Sequence, residues 1–423
     1  MNKKASAAAL CAAFLAAVLA ECSGGAGRAS AGNSAAAPAA GSEGSASAAA
    51  ASGAALTSAG NGMIAATEAG IYEVQNVFAD SANLMYTDLQ SGERIFLCAQ
   101  PNCAHNTESC PSYLATPGAM FPPVLLRAGD RLLVFYTQST AQSGPALYSM
   151  ALDGSGKTKV LGLATSQTVM GGFVTDGTQL YFDIREVDTQ GKAHYLLLCA
   201  DLAQNECRTV CELGGDGAQY QLMGCAGADL VLQGIANDRL QYYLADPEAP
   251  AFDTPIFTDP DPSGSSMAAE GCLFVLDKEA HTVTKTDLVT GESVTAAYPH
   301  RTGFDRPSMR YLYDGKVLVE EVFSPSDGQY ETAAYWVDPA QNTAREMTLR
   351  TPYNGNPVYV LADVGERVYV STDYRMYTPQ ASAQDGTLAG FDVALNVYAL
   401  MTKQDYEASN AAGYQMVQDV LAQ

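Results

Sequence analysis

Beyond residue 62 the chain alternates short apolar runs with tight polar turns, and the alternation itself recurs at long range. VLLRAGDRLLVFYT (124–137), FVTDGTQLYFDI (173–184), YLYDGKVLVEE (311–321) and VLADVGERVYVST (359–371) each place a glycine between two strand-like segments. Gly70, Gly129, Gly177, Gly227, Gly271, Gly315 and Gly365 hold that position, at spacings of 59, 48, 50, 44, 44 and 50 residues. Glycine suits it because a short hairpin turn asks for positive φ, which a Cβ resists. A second hairpin follows in most units: 84–98, 147–162, 196–211, 283–298 and 334–349 each carry an Asp- or Gly-containing turn between two β runs. Four strands in about 50 residues is the blade of a β-propeller. The pattern predicts an all-β fold, a β-propeller of about seven four-stranded blades over roughly residues 63 to 410, with six or eight as the alternative counts. A pair of β-sandwiches would lack this long period, and a β-solenoid would show a shorter one. The final stretch, 410–423, breaks the rhythm and is expected to be a last outer strand or a short helix.

The first 62 residues have no such rhythm. Lys3 and Lys4 precede an apolar run over residues 5–20, short of the roughly 20 residues a comfortable membrane span needs, which reads as an export leader. Leu19-Ala20-Glu21-Cys22 is similar to a bacterial lipobox, in which the cysteine is acylated and becomes the mature N-terminus. Glu21 departs from that pattern and leaves ordinary cleavage, with release of a soluble protein, as the alternative. Residues 23–62 are almost wholly Ala, Gly and Ser and cannot bury enough apolar surface to fold. The expected organisation is a lipoprotein signal peptide (1–21), a disordered tether (22–62) and a propeller domain (63–423), held by Cys22 at the outer face of the cytoplasmic membrane.

A formal charge of -23 excludes nucleic acid as a partner and disfavours anionic lipid, so membrane contact is expected through the anchor alone. No G-x-S-x-G elbow, Walker loop, H-E-x-x-H or Rossmann fingerprint is present, which removes the common motif-based enzyme classes.

Two clusters carry candidate chemistry. Cys98, Cys103, His105 and Cys110 form C-x4-C-x-H-x4-C at the end of the first unit, the ligand set of a closed structural zinc site. In an exported protein two of these thiols can equally form a disulfide, and both readings stay open. Propeller connectivity places the cluster in a long connection on the face shared by the second-to-third-strand loops and the blade-to-blade loops, among them 137–146, 298–308, 323–332 and 374–390. On that face YPHRTGFDRPS brings together Tyr298, His300, Arg301, Phe304, Asp305 and Arg306 as a candidate ligand site, or as a surface loop stapled by Arg and Asp. Cys199, Cys207 and Cys211 fall across one hairpin, where a Cys199–Cys211 bridge depends on register; Cys225 and Cys272 read as small buried hydrophobes.

The stretches LCAQPNCAHNTESCPSY (97–113) and VYALMTKQDYEAS (397–409) resemble a group of uncharacterised surface lipoproteins of Gram-positive gut-type bacteria. Those are propellers of unknown function, related in shape to the low-density-lipoprotein-receptor type and to the Tol-system periplasmic propeller. Cys98, Pro101, Cys103, His105 and Cys110 match the group's L-C-x-x-P-x-C-x-H pattern and its further cysteine. The resemblance implies a propeller and a lipid anchor, without a reaction or a ligand. The function expected first is a surface-tethered, non-enzymatic scaffold that binds a protein or glycan, since no catalytic residues are evident. The alternatives are an extracellular polysaccharide hydrolase or lyase, which needs two carboxylates or a His/Tyr pair brought together by the fold, and a zinc- or redox-responsive sensor.

Overall fold

Seven antiparallel units follow one another along the chain, each with strands a to d in sequence order. The computed structural model describes residues 55–422 except 60–61, 79–80, 117–120, 141–142, 216–217, 237, 252–253, 260–264, 324–330, 378–379, 383–387 and 391–392. The leader, Cys22 and most of the expected tether lie outside the described residues. Blade 1 is Ile64–Ala66, Gly70–Phe78, Ser81–Asp88 and Glu93–Phe96, and blade 2 is Val124–Ala128, Arg131–Tyr136, Ala146–Ala151 and Thr158–Gly162. Blade 3 is Gln167–Thr175, Gln179–Val187, Ala193–Asp201 and Glu206–Gly215, and blade 4 is Ala218–Ala226, Asp229–Ala236, Arg239–Ala245 and Phe257–Thr258. Blade 5 is Ser266–Ala269, Cys272–Asp277, Thr282–Asp287 and Ser293–Ala297, and blade 6 is Asp305–Tyr313, Lys316–Phe323, Glu331–Asp338 and Thr343–Glu346. Blade 7 is Val360–Val364, Arg367–Tyr377, Val393–Thr402 and Gln415–Met416.

The core shows that these blades close into a ring. It divides into seven apolar clusters, each lying between two successive blades, including one that joins Tyr369, Tyr398 and Leu400 of blade 7 to Ile71 of blade 1. Strands b and c are therefore covered on both faces, which is why they read as continuous apolar runs rather than alternating ones. Strand b of blade 6, KVLVEEVF, buries five residues in succession, Val317 to Glu321.

The glycines marking the repeat all sit in or beside the a–b turns, and six of them have positive φ, from 58° at Gly129 to 93° at Gly177. Gly70 has another reason: a Cβ there would lie 2.1 Å from Cε2 of Tyr86. Most c–d turns are held by aspartates, with Asp88 and Asp287 each accepting two backbone N–H groups of their own turn.

Both ends of the described chain are stitched into the ring. Thr57–Ser58, within the stretch expected to be tether, pairs with strand a of blade 3, and Leu56 packs against the core between blades 3 and 4. At the other end the expectation of a last outer strand within 410–423 holds. A short helix before that stretch, Lys403–Glu407, and a 3-10 turn within it, Ala411–Gly413, lead to Gln415–Met416, the outer strand of blade 7. Gln418–Asp419 then pairs in parallel with Glu93–Arg94 of blade 1. Among the described residues no helix is long and apolar enough to cross a membrane.

Candidate functional site

Strand d of blade 1 is split. Glu93–Phe96 pairs with strand c at residues 85–87, and Tyr113–Ala115 pairs with the same strand at residues 81–83. Residues 97–112 leave and rejoin the sheet at Leu84, whose carbonyl accepts from Leu97 N at 2.9 Å and whose N–H donates to the Ser112 carbonyl at 2.7 Å. All four residues of the cysteine cluster sit on this excursion, and one ligand atom from each lies within 4.8 Å of all the others. Asn102 and His105 take positive φ, which folds the loop back on itself. The His105 ring stacks on Phe96 at 4.2 Å, its Nδ1 lies 3.3 Å from Cys110 Sγ, and its carbonyl accepts from Asn83 Nδ2 at 2.8 Å.

Tetrahedral ligation with metal–sulfur bonds of about 2.3 Å places sulfurs about 3.8 Å apart, so this set fits one thiophilic ion. The three thiols are free. Burial pushes the Cys98 thiol up to about 11. Burial also works to raise Cys110, but hydrogen bonds from Ser112 and His105 outweigh it and bring this thiol down to about 6. The excursion leaves the middle of an outer strand, with Leu97 in the core between blades 1 and 2 and against the turn at Gly154, and the His105 carbonyl is held by Asn83 near the start of strand c.

The hairpin of blade 3 forms no bridge. A register shift sets Cys199 opposite Arg208 and Cys211 opposite Leu197. Cys272 is buried as expected, and Cys225 is half-buried.

The loop after strand d of blade 5 lies on the shared face, and it regroups the residues expected there. Tyr298 belongs to the core between blades 5 and 6, 4% exposed and packed on Tyr335, so it is not a surface contact. Burial pushes its hydroxyl up. His300 keeps 31% of its side chain exposed while its Nδ1 lies 2.7 Å from Oε1 of Glu321, which is completely buried. The second oxygen, Glu321 Oε2, accepts from the Arg301 backbone N–H at 3.4 Å. Arg301 pairs with Glu346 at 2.6 Å, and its guanidinium stands 5.8 Å from the Phe304 ring, which stacks in turn on Phe323. Asp305 and Arg306 open strand a of blade 6. The fold thus gathers His300, Arg301 and Phe304, and removes Tyr298.

Two members were not foreseen. Glu321 comes from strand b of blade 6, where a charge in the middle of an apolar strand was the available signal. His281 comes from the b–c turn of blade 5, and its ring lies parallel to that of His300, with 4.0 Å between centroids and 5° between planes. Nothing in the local sequence around it indicates this pairing. A carboxylate at Glu321 can only accept, so this contact calls for the Nδ1–H tautomer of His300 and leaves the lone pair on Nε2.

No protein-family model matches the chain, and no curated protein matches it. Solved structures do. A puromycin-hydrolysing peptidase of Mycobacterium tuberculosis is similar at 10% identity over 84% of this chain and 52% of its own, with a TM-score of 0.45. An oligogalacturonate lyase in complex with manganese is similar at 13% identity over 74% of this chain and 83% of its own, with a TM-score of 0.41. A Vibrio parahaemolyticus oligogalacturonate lyase is similar at 10% identity over 77% and 85%, with a TM-score of 0.39. The chain spans about half the length of the peptidase it matches. Likeness of this degree concerns the propeller architecture and not a substrate. The expectation of a non-enzymatic scaffold is nevertheless overturned. That expectation rested on seeing no catalytic group in the sequence, whereas folding brings a buried glutamate against a partly exposed histidine.

Proposed function

We propose that this chain is an enzyme that cleaves an extracellular polysaccharide by elimination, with His300 as the base. The observation that carries the proposal is the 2.7 Å contact between His300 Nδ1 and the buried Glu321 carboxylate, which fixes one tautomer of a histidine still open to solvent. Elimination fits this arrangement better than hydrolysis by two carboxylates. The adjacent Glu320 turns to the opposite side of blade 6, where Arg310 and Tyr359 hold it, so it does not face Glu321.

In the proposed step Nε2 of His300 removes the proton α to a uronate carboxylate, and Arg301, half exposed beside it, offsets the charge that develops there. The electron pair forms a carbon–carbon double bond as the glycosidic bond to the β carbon breaks, and the leaving oxygen takes the proton back from the imidazolium. No water is consumed. The substrate is thus a uronate-containing glycan met outside the cytoplasm, in keeping with export and lipid attachment at Cys22, which belong to the same proposal. Zinc is the proposed occupant of Cys98, Cys103, His105 and Cys110, on the strength of three thiolate ligands and one imidazole.

The test is to incubate the full chain with a panel of polyuronates, following the ultraviolet absorbance of the unsaturated product alongside new reducing ends. Both signals rising together, and vanishing in His300→Asn, is the expected result. Reducing ends without absorbance would replace elimination by hydrolysis. Neither signal on any polyuronate would overturn the proposal.

A further inference from the structure

Glu321 fixes one edge of the His300 ring, but a single hydrogen bond leaves the ring free to swing about that contact. His281 removes this freedom. Its ring lies flat on that of His300 at 4.0 Å, and the T-shaped packing of His281 against Tyr298, at 5.8 Å and 80°, braces it from the core side. The His281 carbonyl also accepts from the Tyr298 N–H at 3.0 Å, which ties the b–c turn of blade 5 to the start of the loop that carries His300.

The group formed by His281, His300 and Glu321 has ligand atoms within 4.8 Å of one another, a spacing compatible with a metal. Ring geometry opposes that reading. An imidazole lone pair lies in the plane of its ring, and two parallel rings in separate planes cannot both aim a lone pair at one ion. The arrangement has costs that a purely structural residue would avoid. His281 holds a φ of 52°, which side chains with a Cβ resist, and its Nδ1 is buried without a hydrogen-bond partner among the described residues.

We propose that His281 is a positioning residue, whose stack locks the plane of the His300 ring so that Nε2 has a single aim. This rests on the reading of His300 as the base, and two variants separate the claims. His281→Gly removes the ring and suits the left-handed backbone, whereas His281→Phe keeps a flat ring on His300. Both are measured in the full chain, by nitrogen-15 spectra of the histidine side chains and by kcat and KM on a cleaved polyuronate. Wild type is expected to show His300 as one Nδ1–H tautomer. His281→Gly should keep that tautomer, which Glu321 sets, but give His300 ring resonances broadened by motion of the ring and a kcat about 10- to 100-fold lower at nearly unchanged KM. His281→Phe should restore the sharp resonances and most of kcat.

Sharp, unbroadened His300 resonances and an unchanged kcat in His281→Gly would overturn the positioning role. So would a loss in His281→Phe equal to that in His281→Gly, which would assign the effect to the imidazole nitrogens rather than to the stack. If no polyuronate is cleaved even by wild type, the elimination reading fails, and the spectra still decide the positioning claim.

Discussion

Replacing Arg94 by methionine tests how the ring is closed. The Arg94 side chain is completely buried at the outer edge of blade 1, where Nε donates to Glu73 at 2.8 Å, Nη1 to Asp419 at 3.1 Å and Nη2 to Gln75 at 3.2 Å. The guanidinium also stands 4.8 Å from the Tyr398 ring of blade 7. Glu73 is 4% exposed, and without Arg94 the Tyr369 hydroxyl, 3.0 Å away, remains to hold it. Asp419 is better placed, because Arg375 still reaches it at 3.1 Å. The loss is therefore dominated by an unpaired buried carboxylate, which costs about 3–5 kcal/mol. Unfolding entropy of about 2.1 cal/mol/K per residue over roughly 370 residues turns 4 kcal/mol into a fall in Tm of about 5 °C. Scanning calorimetry of Arg94→Met reads this directly. Adding Glu73→Gln removes the stranded charge and should recover at least half of the shift. A single variant within 1 °C of wild type, or a double variant no better than the single, would show that the network is not what latches blade 7 to blade 1.

Three further outcomes follow from the geometry. The purified chain should carry one zinc, and chelation should expose residues 97–112 to protease; a chain without metal that resists cleavage there would remove the ion from the account. Asp183 is buried between blades 3 and 4, and burial pushes its carboxyl up to about 7 against the N–H groups of Leu222 and Gly172. Between its ordinary value and 7 the folded state keeps a proton that the unfolded chain has lost. Stability should thus fall as pH rises through that window, by at most about 1.4 kcal/mol per pH unit, and Asp183→Asn should flatten the profile. Gly70→Ala drives a Cβ into the Tyr86 ring and should cost about 1–3 kcal/mol in denaturant titration, with Tyr86→Ala in the same chain relieving the clash.

The repeat was legible because propeller blades are nearly independent local units, and a glycine turn recurs in each with an aspartate turn in most. Seven glycines counted seven blades correctly. The end of the chain was harder to read, since Gln415–Met416 and Gln418–Asp419 are two-residue strands whose partners lie in different blades. No local periodicity encodes such pairings. The ligands of the cysteine cluster were visible from spacing, yet the split of the outer strand that carries them was not, because such a strand looks in sequence like a long connection. At the second site, the sequence showed the loop at 298–308 and missed what makes it chemical. Glu321 comes from inside strand b of blade 6 and His281 from the b–c turn of blade 5, and Tyr298 looked like a surface aromatic until the packing of blade 6 covered it.

The most direct test of the central claim is a titration of the full chain with an oligouronate, observed through its histidine side chains. The chain has four histidines, so each can be followed. The account predicts that the His300 resonances move to saturation and those of His281 follow, while His105 on blade 1 and His194 on blade 3 stay in place. Movement confined to His194 or His105, or a His300 signal unaffected at saturating ligand, would contradict it.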